Sequence, residues 1–375
     1  MKSINQSINQ SINQSINQSI NQSINQSINQ SINQSINQSI NQSINQSRVY
    51  WLDVARAIAI FLVVFTHIHE RIGVNSILIK GIFYDIDRLG VPLFFMISGG
   101  LILPKLTNIN IVVFYKKRVP QFLLVLVLYS MLTTLIYKIT NGVDFSKAIK
   151  DSILLHNGIY PASNGNAHQL WFMYSIIQLY LIAPFLAKLL ENLTDNEILL
   201  FLIFSIILTQ FKFTFNIDFL KRLGTNFIGE YVNFFILGYL FIYRNKRINL
   251  IISIILLVIP ILLSLWYEAY KGEFINSLHW YSSSLQILIS SIGLINLIRN
   301  LFTNAKSSRF VEYISRYSFG IYLSHYLFIY LFLDVKNYIN SLTGKIIILI
   351  IPTLIASYLF THFLSKNKIT QKLVM

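Results

Sequence analysis

An all-α, polytopic membrane bundle of about ten transmembrane helices is the fold this sequence predicts, and three observations predict it. Of 375 residues, 54% are hydrophobic and only 12% are charged, whereas a soluble domain of this size carries about a quarter charged residues. Mean hydropathy is +0.55 despite a long polar N-terminal segment. The apolar residues also gather into runs near the 20 residues that cross a hydrocarbon core of about 30 Å. Cysteine is absent, which excludes disulfides, thiolate catalysis and a Cys-based zinc site. The formal charge of +15 is first a matter of topology, because cytoplasmic loops of membrane proteins collect Lys and Arg; nucleic acid is not an expected partner.

Taken in order, the chain opens with residues 1–47, in which eleven copies of SINQ cover Ser3 to Gln46. One Ile in four residues buries too little surface to offset backbone entropy, so this segment is expected to be a disordered, dispensable tail; a spacer or interaction role is the alternative. It has no apolar core of a signal peptide, and the first apolar run is long enough to remain in the membrane. That run opens the membrane domain, 48–366. Ten spans are expected, at 50–68, 88–104, 119–138, 169–188, 197–212, 227–243, 248–267, 278–298, 314–333 and 345–364. The short ranges 88–104 and 197–212 are expected to tilt or to line a cavity. A short basic tail, 367–375, follows. An even count puts both termini on one side, and the clusters KKR at 116–118 and RNKR at 244–247 place that side in the cytoplasm. The longest outer connection, Ile139 to His168, carries the turn-rich GIYPASNGNAHQ at 158–169. It reads as a cover or recognition loop, or simply as a solvated connector.

Chemistry is expected first in WLDVARAIAIFLVVFTHI, Trp51 to Ile68, because ionisable groups are costly in lipid and usually face the protein interior or a cavity. Arg56 and His67 lie eleven residues apart, hence within roughly 20° of one helix face and about 16 Å apart along the axis. Asp53 shares the face. Spacing suits Asp53 to pair with Arg56 one turn on, and Arg56 to offer donors to a phosphate. Asp53 lies about 21 Å from His67, too far for a direct relay. His67 suits a general base, a structural hydrogen bond within a packed polar network, or a proton path, and spacing alone does not choose among these.

In RLGVPLFFMISGGLILP, 88–104, Arg88 stands at the outer edge and Ser98 precedes Gly99 and Gly100. The glycines fit close helix packing. Ser98 lacks the G-x-S-x-G elbow of a soluble hydrolase, so it is expected only to line a cavity or a packing surface. Trp171 is expected at the outer interface, in an aromatic belt or against a carbohydrate. His325 is expected midway along the ninth span, and His279 at the interface. Without a carboxylate cluster, no metal centre is expected.

Together these segments resemble the acyltransferase 3 family of membrane acyltransferases, which includes bacterial O-acetyltransferases of surface polysaccharides. The resemblance covers about 50–365. Its most specific element is WLDVARAIAIFLVVFTH, where the family's Asp, Arg and His correspond to Asp53, Arg56 and His67. GVPLFFMISG, FYKKRVPQF, LWFMYSIIQLYLIAP, NFFILGYLF and SFGIYLSH follow in order. The SINQ tail falls outside the pattern, and no C-terminal SGNH-like domain follows. The resemblance implies an acyl-CoA donor, acetyl-CoA before succinyl-CoA, at the cytoplasmic face of a bacterial cell membrane. The implied acceptor is a hydroxyl of an envelope glycan or lipid-linked sugar, alongside membrane lipids and polysaccharide-biosynthesis machinery as partners. It casts His67 as the catalytic residue, Arg56, Lys116, Lys117 and Arg118 as the CoA-binding group, and Asp53 and Arg88 as orienting residues; Ser98, Trp171 and His325 stand beside them as the orienting or cavity residues read from the segments themselves. No cofactor is expected to be tightly bound. A transporter or flippase of polysaccharide intermediates is the alternative from a different class.

Overall fold

The computed structural model describes residues 49–154, 166–224, 229–281 and 283–374. The SINQ segment and most of the 158–169 motif lie outside them. Among the described residues all regular structure is helical. Capping residues set most boundaries. The first membrane helix, α1, runs Tyr50–Ile72. Ser76 then caps α2, Ile77–Asp87, which continues almost directly into α3, Gly90–Leu106. Asn110 accepts from the Val113 amide to start α4, Ile111–Thr140, and Asp144 does the same for the short α5, Phe145–Ile153. A turn at His168–Leu170 leads into α6, Trp171–Asn192. The Thr194–Glu197 capping box begins α7, Asp195–Ile206, which continues through a π-helical turn to Thr214. A short α8, Asp218–Leu223, precedes α9, Val232–Gly238, itself extended by a π turn to Tyr243. Asn249 caps α10, Leu250–Lys271, which ends on left-handed Gly272. Ser284 caps α11, Leu285–Phe302; α12 spans Arg309–Phe332; Ser341 caps α13, Leu342–Ser365.

Among the described residues, nine helices or helix pairs are long and apolar enough to cross a membrane, and Val232–Tyr243 is a shorter apolar helix. Direction decides whether that short helix counts as a crossing. Ser315 Oγ donates to Asp53 Oδ1 at 2.6 Å, Tyr326 Oη lies 3.3 Å from His67 Nδ1, and Arg71 Nη2 donates to Tyr330 Oη at 2.9 Å. Numbers rise together along α1 and α12, so the two helices are parallel. Were Val232–Tyr243 to stay on one side, α12 would be the eighth crossing and would run antiparallel to the first. Counted as the sixth of ten, it restores the observed direction. A crossing this short is tolerated because Val232 to Phe241 is buried on every side, away from lipid.

The sequence expectation therefore holds for class and count, with four corrections in detail. The short span is 232–243, since 88–104 is lengthened by α2 into Ile77–Leu106 and 197–212 lies within Asp195–Thr214. The third span starts at Ile111 rather than 119, so Lys116, Lys117 and Arg118 are helical rather than in a loop. The outer connection contains α5. The eighth helix starts at Leu285, which leaves His279 in the turn between two spans, buried within the protein at 2% exposed.

Lipid tails are as apolar as Leu, so packing within the bundle depends on close approach rather than on water exclusion. The GG pair supplies it. A β-carbon on Gly99 would overlap the Phe235 carbonyl, and one on Gly238 would overlap the Met96 carbonyl. Thus α3 and α9 cross backbone to backbone, and α3 also packs on α1, which fixes the first span against the wall behind it.

Candidate active site

The polar face of α1 serves two regions at opposite ends. At the Arg56 end, a cavity of about 730 Å³ opens among α1, α3, α4, α6 and α12. Its cations are Arg56, Lys105, Lys117, Arg118 and Arg316, while its deeper lining is apolar, including Phe94, Phe172 and Phe319. Asp53 Oδ1 stands 3.9 Å from Arg56 Nη1 and also accepts the Ser315 hydroxyl, so the buried carboxylate ties the arginine to α12. Ser98 lines the cavity; Lys116, one residue from Lys117, does not. A charged rim over an apolar slot suits an anionic head with a long thin tail.

Phe172 and Tyr322 belong to the cavity lining, their rings meet edge to face with centroids 5.2 Å apart, and the Tyr322 ring also lies 6.1 Å from that of His325. His67 is only 7% exposed and absent from that lining. Its ring stacks on His325 at 5.3 Å, and the edge of Tyr326 meets it at 4.9 Å. His325 comes from α12, so the two histidines meet although they are 258 residues apart in sequence. The His325 Nδ1 lies 2.6 Å from the Tyr322 carbonyl and 3.2 Å from that of Ile321. Carbonyls only accept, so Nδ1 carries the proton and Nε2 is left with its lone pair, buried without a partner.

His67 Nδ1 lies 3.3 Å from Glu70 Oε2. Glu70 Oε1 in turn accepts from Arg88 Nη2 at 2.5 Å, and Arg88 Nη1 donates to the Tyr281 hydroxyl at 2.7 Å. Arg88 is therefore committed to a carboxylate and a phenol. Trp171 stacks on Tyr281, with centroids 5.2 Å apart at 28°, inside the aromatic cluster rather than on an outward belt. Arg71 points at Tyr330 and Tyr326. His69 turns the other way and pairs with buried Asp87.

The arrangement thus gathers His67, His325, Arg88 and Trp171 at one end, and Asp53, Arg56, Ser98, Lys117 and Arg118 at the other. Glu70, Tyr326 and Tyr281 are additions the sequence did not single out. Glu70 carried a local signal, three residues beyond His67 and so on the same helical face. Tyr281 and Tyr326 carried none.

Behind this network, His279 Nδ1 lies 3.0 Å from Asp85 Oδ1 and its Nε2 lies 2.9 Å from Glu268 Oε1. Burial by itself would lower the imidazole pKa, yet the two carboxylates outweigh it and raise the value above the ordinary range. The bridge clamps α2 to α10 and holds the turn that presents Trp280 and Tyr281.

Comparison with curated proteins and with solved structures gave no match. A family model for an acyltransferase domain, the acyltransferase 3 model, matches residues 49–362, which takes in both ends of the site and every helix that builds them. With a ten-crossing bundle, a cationic cavity and a histidine centre on one first helix, the chain belongs to the acyltransferase 3 family and is a membrane acyltransferase.

Proposed function

We propose that this chain moves a short acyl group, acetyl in the first instance, from acyl-CoA at the Arg56 end to a sugar hydroxyl presented at the His67 end. The observation that carries this reading is the placement of a phosphate-binding type of cavity and a packed histidine centre along one helix, with Arg56 and His67 about 16 Å apart. The nucleotide phosphates of the donor are assigned to Arg56, Lys117 and Arg118, joined by Lys105 and Arg316. Its thioester arm follows the apolar lining toward Phe172 and Tyr322, which must part for the acyl group to reach His67. There, Nε2 takes the proton of the acceptor hydroxyl while the oxygen attacks the thioester carbonyl. The C–S bond then breaks, and the imidazolium returns the proton to the CoA thiolate. Products are the O-acyl sugar and free CoA.

Basic clusters at the Arg56 end favour the cytoplasm for that end and for both termini, so the acceptor is assigned to the outer face of a bacterial cell membrane, as an envelope glycan or lipid-linked sugar. Acetyl is preferred to succinyl on family resemblance. The test is mass analysis of envelope glycans from cells with the gene, without it, and with His67→Ala, together with total polymer. Loss of O-acyl mass at constant polymer is expected in the second and third. Loss of exported polymer with unchanged substitution would instead establish a transporter or flippase.

A further inference from the structure

We infer that Glu70 is the positioning residue of His67, holding its ring in the one tautomer that leaves Nε2 free to act as a base. The inference rests on the acyl-transfer reading for its purpose, but its geometry stands by itself. In a neutral imidazole one nitrogen donates and the other accepts. Nδ1 faces Glu70 Oε2 at 3.3 Å. A carboxylate can only accept, so the proton resides on Nδ1 and the lone pair on Nε2. The Tyr326 hydroxyl, also 3.3 Å from Nδ1, both donates and accepts and therefore conforms to either tautomer; Glu70 decides.

Glu70 is itself fixed. Its other oxygen receives Arg88 Nη2 at 2.5 Å, and Arg88 is held from behind by the Tyr281 hydroxyl and by its place over the Tyr84 and Tyr281 rings. The chain Tyr281–Arg88–Glu70–His67 thus joins α1, the junction of α2 and α3, and the turn after α10. It ends on the ring that has to keep its orientation while a substrate arrives. His325 is fixed by other means, its Nδ1 proton being committed to backbone carbonyls of its own helix.

The arrangement makes an unusual ordering of variants. In Glu70→Gln the shape is kept, but Arg88 carries only donors and so claims the amide oxygen. The amide N–H₂ is then turned toward His67 Nδ1, which must accept, and the proton moves to Nε2. Glu70→Ala imposes no tautomer at all. The isosteric Gln variant is therefore expected to be the more damaged of the two, with kcat lowered about 10²-fold or more and the KM for acetyl-CoA little changed. Glu70→Asp, an acceptor-only group on a shorter stem, should recover activity above Gln. A role in packing alone predicts the reverse, with Gln nearest to wild type.

The test measures acetyl transfer from acetyl-CoA to isolated cell-envelope polysaccharide by membranes carrying each variant. In parallel, nitrogen NMR is recorded on full-length protein labelled with ¹⁵N-histidine in detergent, with His67 assigned by its loss in His67→Phe. Wild type is expected to show Nδ1 protonated and Nε2 bare, and Glu70→Gln the reverse. The same tautomer in both proteins, or a Gln variant at least as active as the Ala variant, would overturn the assignment. Tautomer reversal in a protein whose wild type transfers no acetyl would uphold Glu70 as the positioning residue and remove the acyl-transfer reading instead.

Discussion

The two ends of α1 are built on opposite principles. Around Arg56 there is room, about 730 Å³, a charged rim, and a tether in the Asp53 carboxylate. Around His67 there is almost none, and each polar group is gripped by another: His67 by Glu70, Glu70 by Arg88, Arg88 by Tyr281. Loose cations suit a long ligand whose charges are spread out, because each contributes a little and none must be placed accurately. A reacting centre is the contrary case, in which a shift of about 1 Å can cost 10²-fold. If the proposed reading is right, binding and chemistry are separable along this helix, and substitutions should sort accordingly.

The largest expected effect is at the gripped end. His67→Ala should lower kcat by about 10³-fold with the KM for acetyl-CoA nearly constant, within the range typical of a lost general base. Arg56→Ala should do the converse, raising that KM by about 10- to 100-fold as a charge-assisted phosphate contact is lost, with a modest change in kcat. Saturation curves for both variants would break the comparison if the two patterns were exchanged. Third, Gly238→Ala should destabilise the detergent-solubilised protein by about 1–3 kcal/mol, because the added carbon meets the Met96 carbonyl and α3 must shift. A melting temperature equal to wild type would show that the crossing of α3 and α9 has slack.

A smaller effect concerns pH. His279 has a raised pKa in the fold, so its bridge to Asp85 and Glu268 contributes fully below the ordinary imidazole value of about 6.5 and is lost as pH rises through the raised one. Thermal stability should therefore fall across that upper window in wild type, and His279→Gln should lack the slope; equal slopes would remove His279 as its source. Smallest of all, Lys117→Ala should raise the KM for acetyl-CoA about two- to fivefold, as for an exposed charge, while Lys116→Ala, which lies off the cavity, should leave it unchanged. Equal effects would mean the rim acts as a general field rather than through its lining.

Much of the architecture was legible because lipid imposes a simple rule: long apolar runs become helices, and charges inside them need a reason. Asp53, Arg56 and His67 were visible on that ground. The limits were equally physical. Lys116–Arg118 suggested a loop because basic residues mark membrane edges, yet a helix can extend beyond the hydrocarbon and carry them. Glu70 sat in the HIHER sequence that closes the first span, where charge is ordinary, and its meaning came only from Arg88 on the far side of α2. The meeting of His67 with His325, and of Arg88 with Tyr281, depends on how distant helices dock, for which no local spacing exists. The partners of His279 were illegible for the same reason, since Asp85 and Glu268 lie on two other elements.

The contact of Phe172 with Tyr322 has a further consequence, which is electrical. A cell membrane stands under a voltage, and each elementary charge that crosses it releases about 2.3 kcal/mol per 100 mV. A protein with a wet, cationic chamber at one end and titratable groups at the other would be a leak if the two were joined by water. On the proposed reading the two rings, with Tyr322 anchored by its hydroxyl to the Gln169 carbonyl at 2.6 Å, would serve as insulation between the ends, opening for an acyl group and keeping the voltage otherwise.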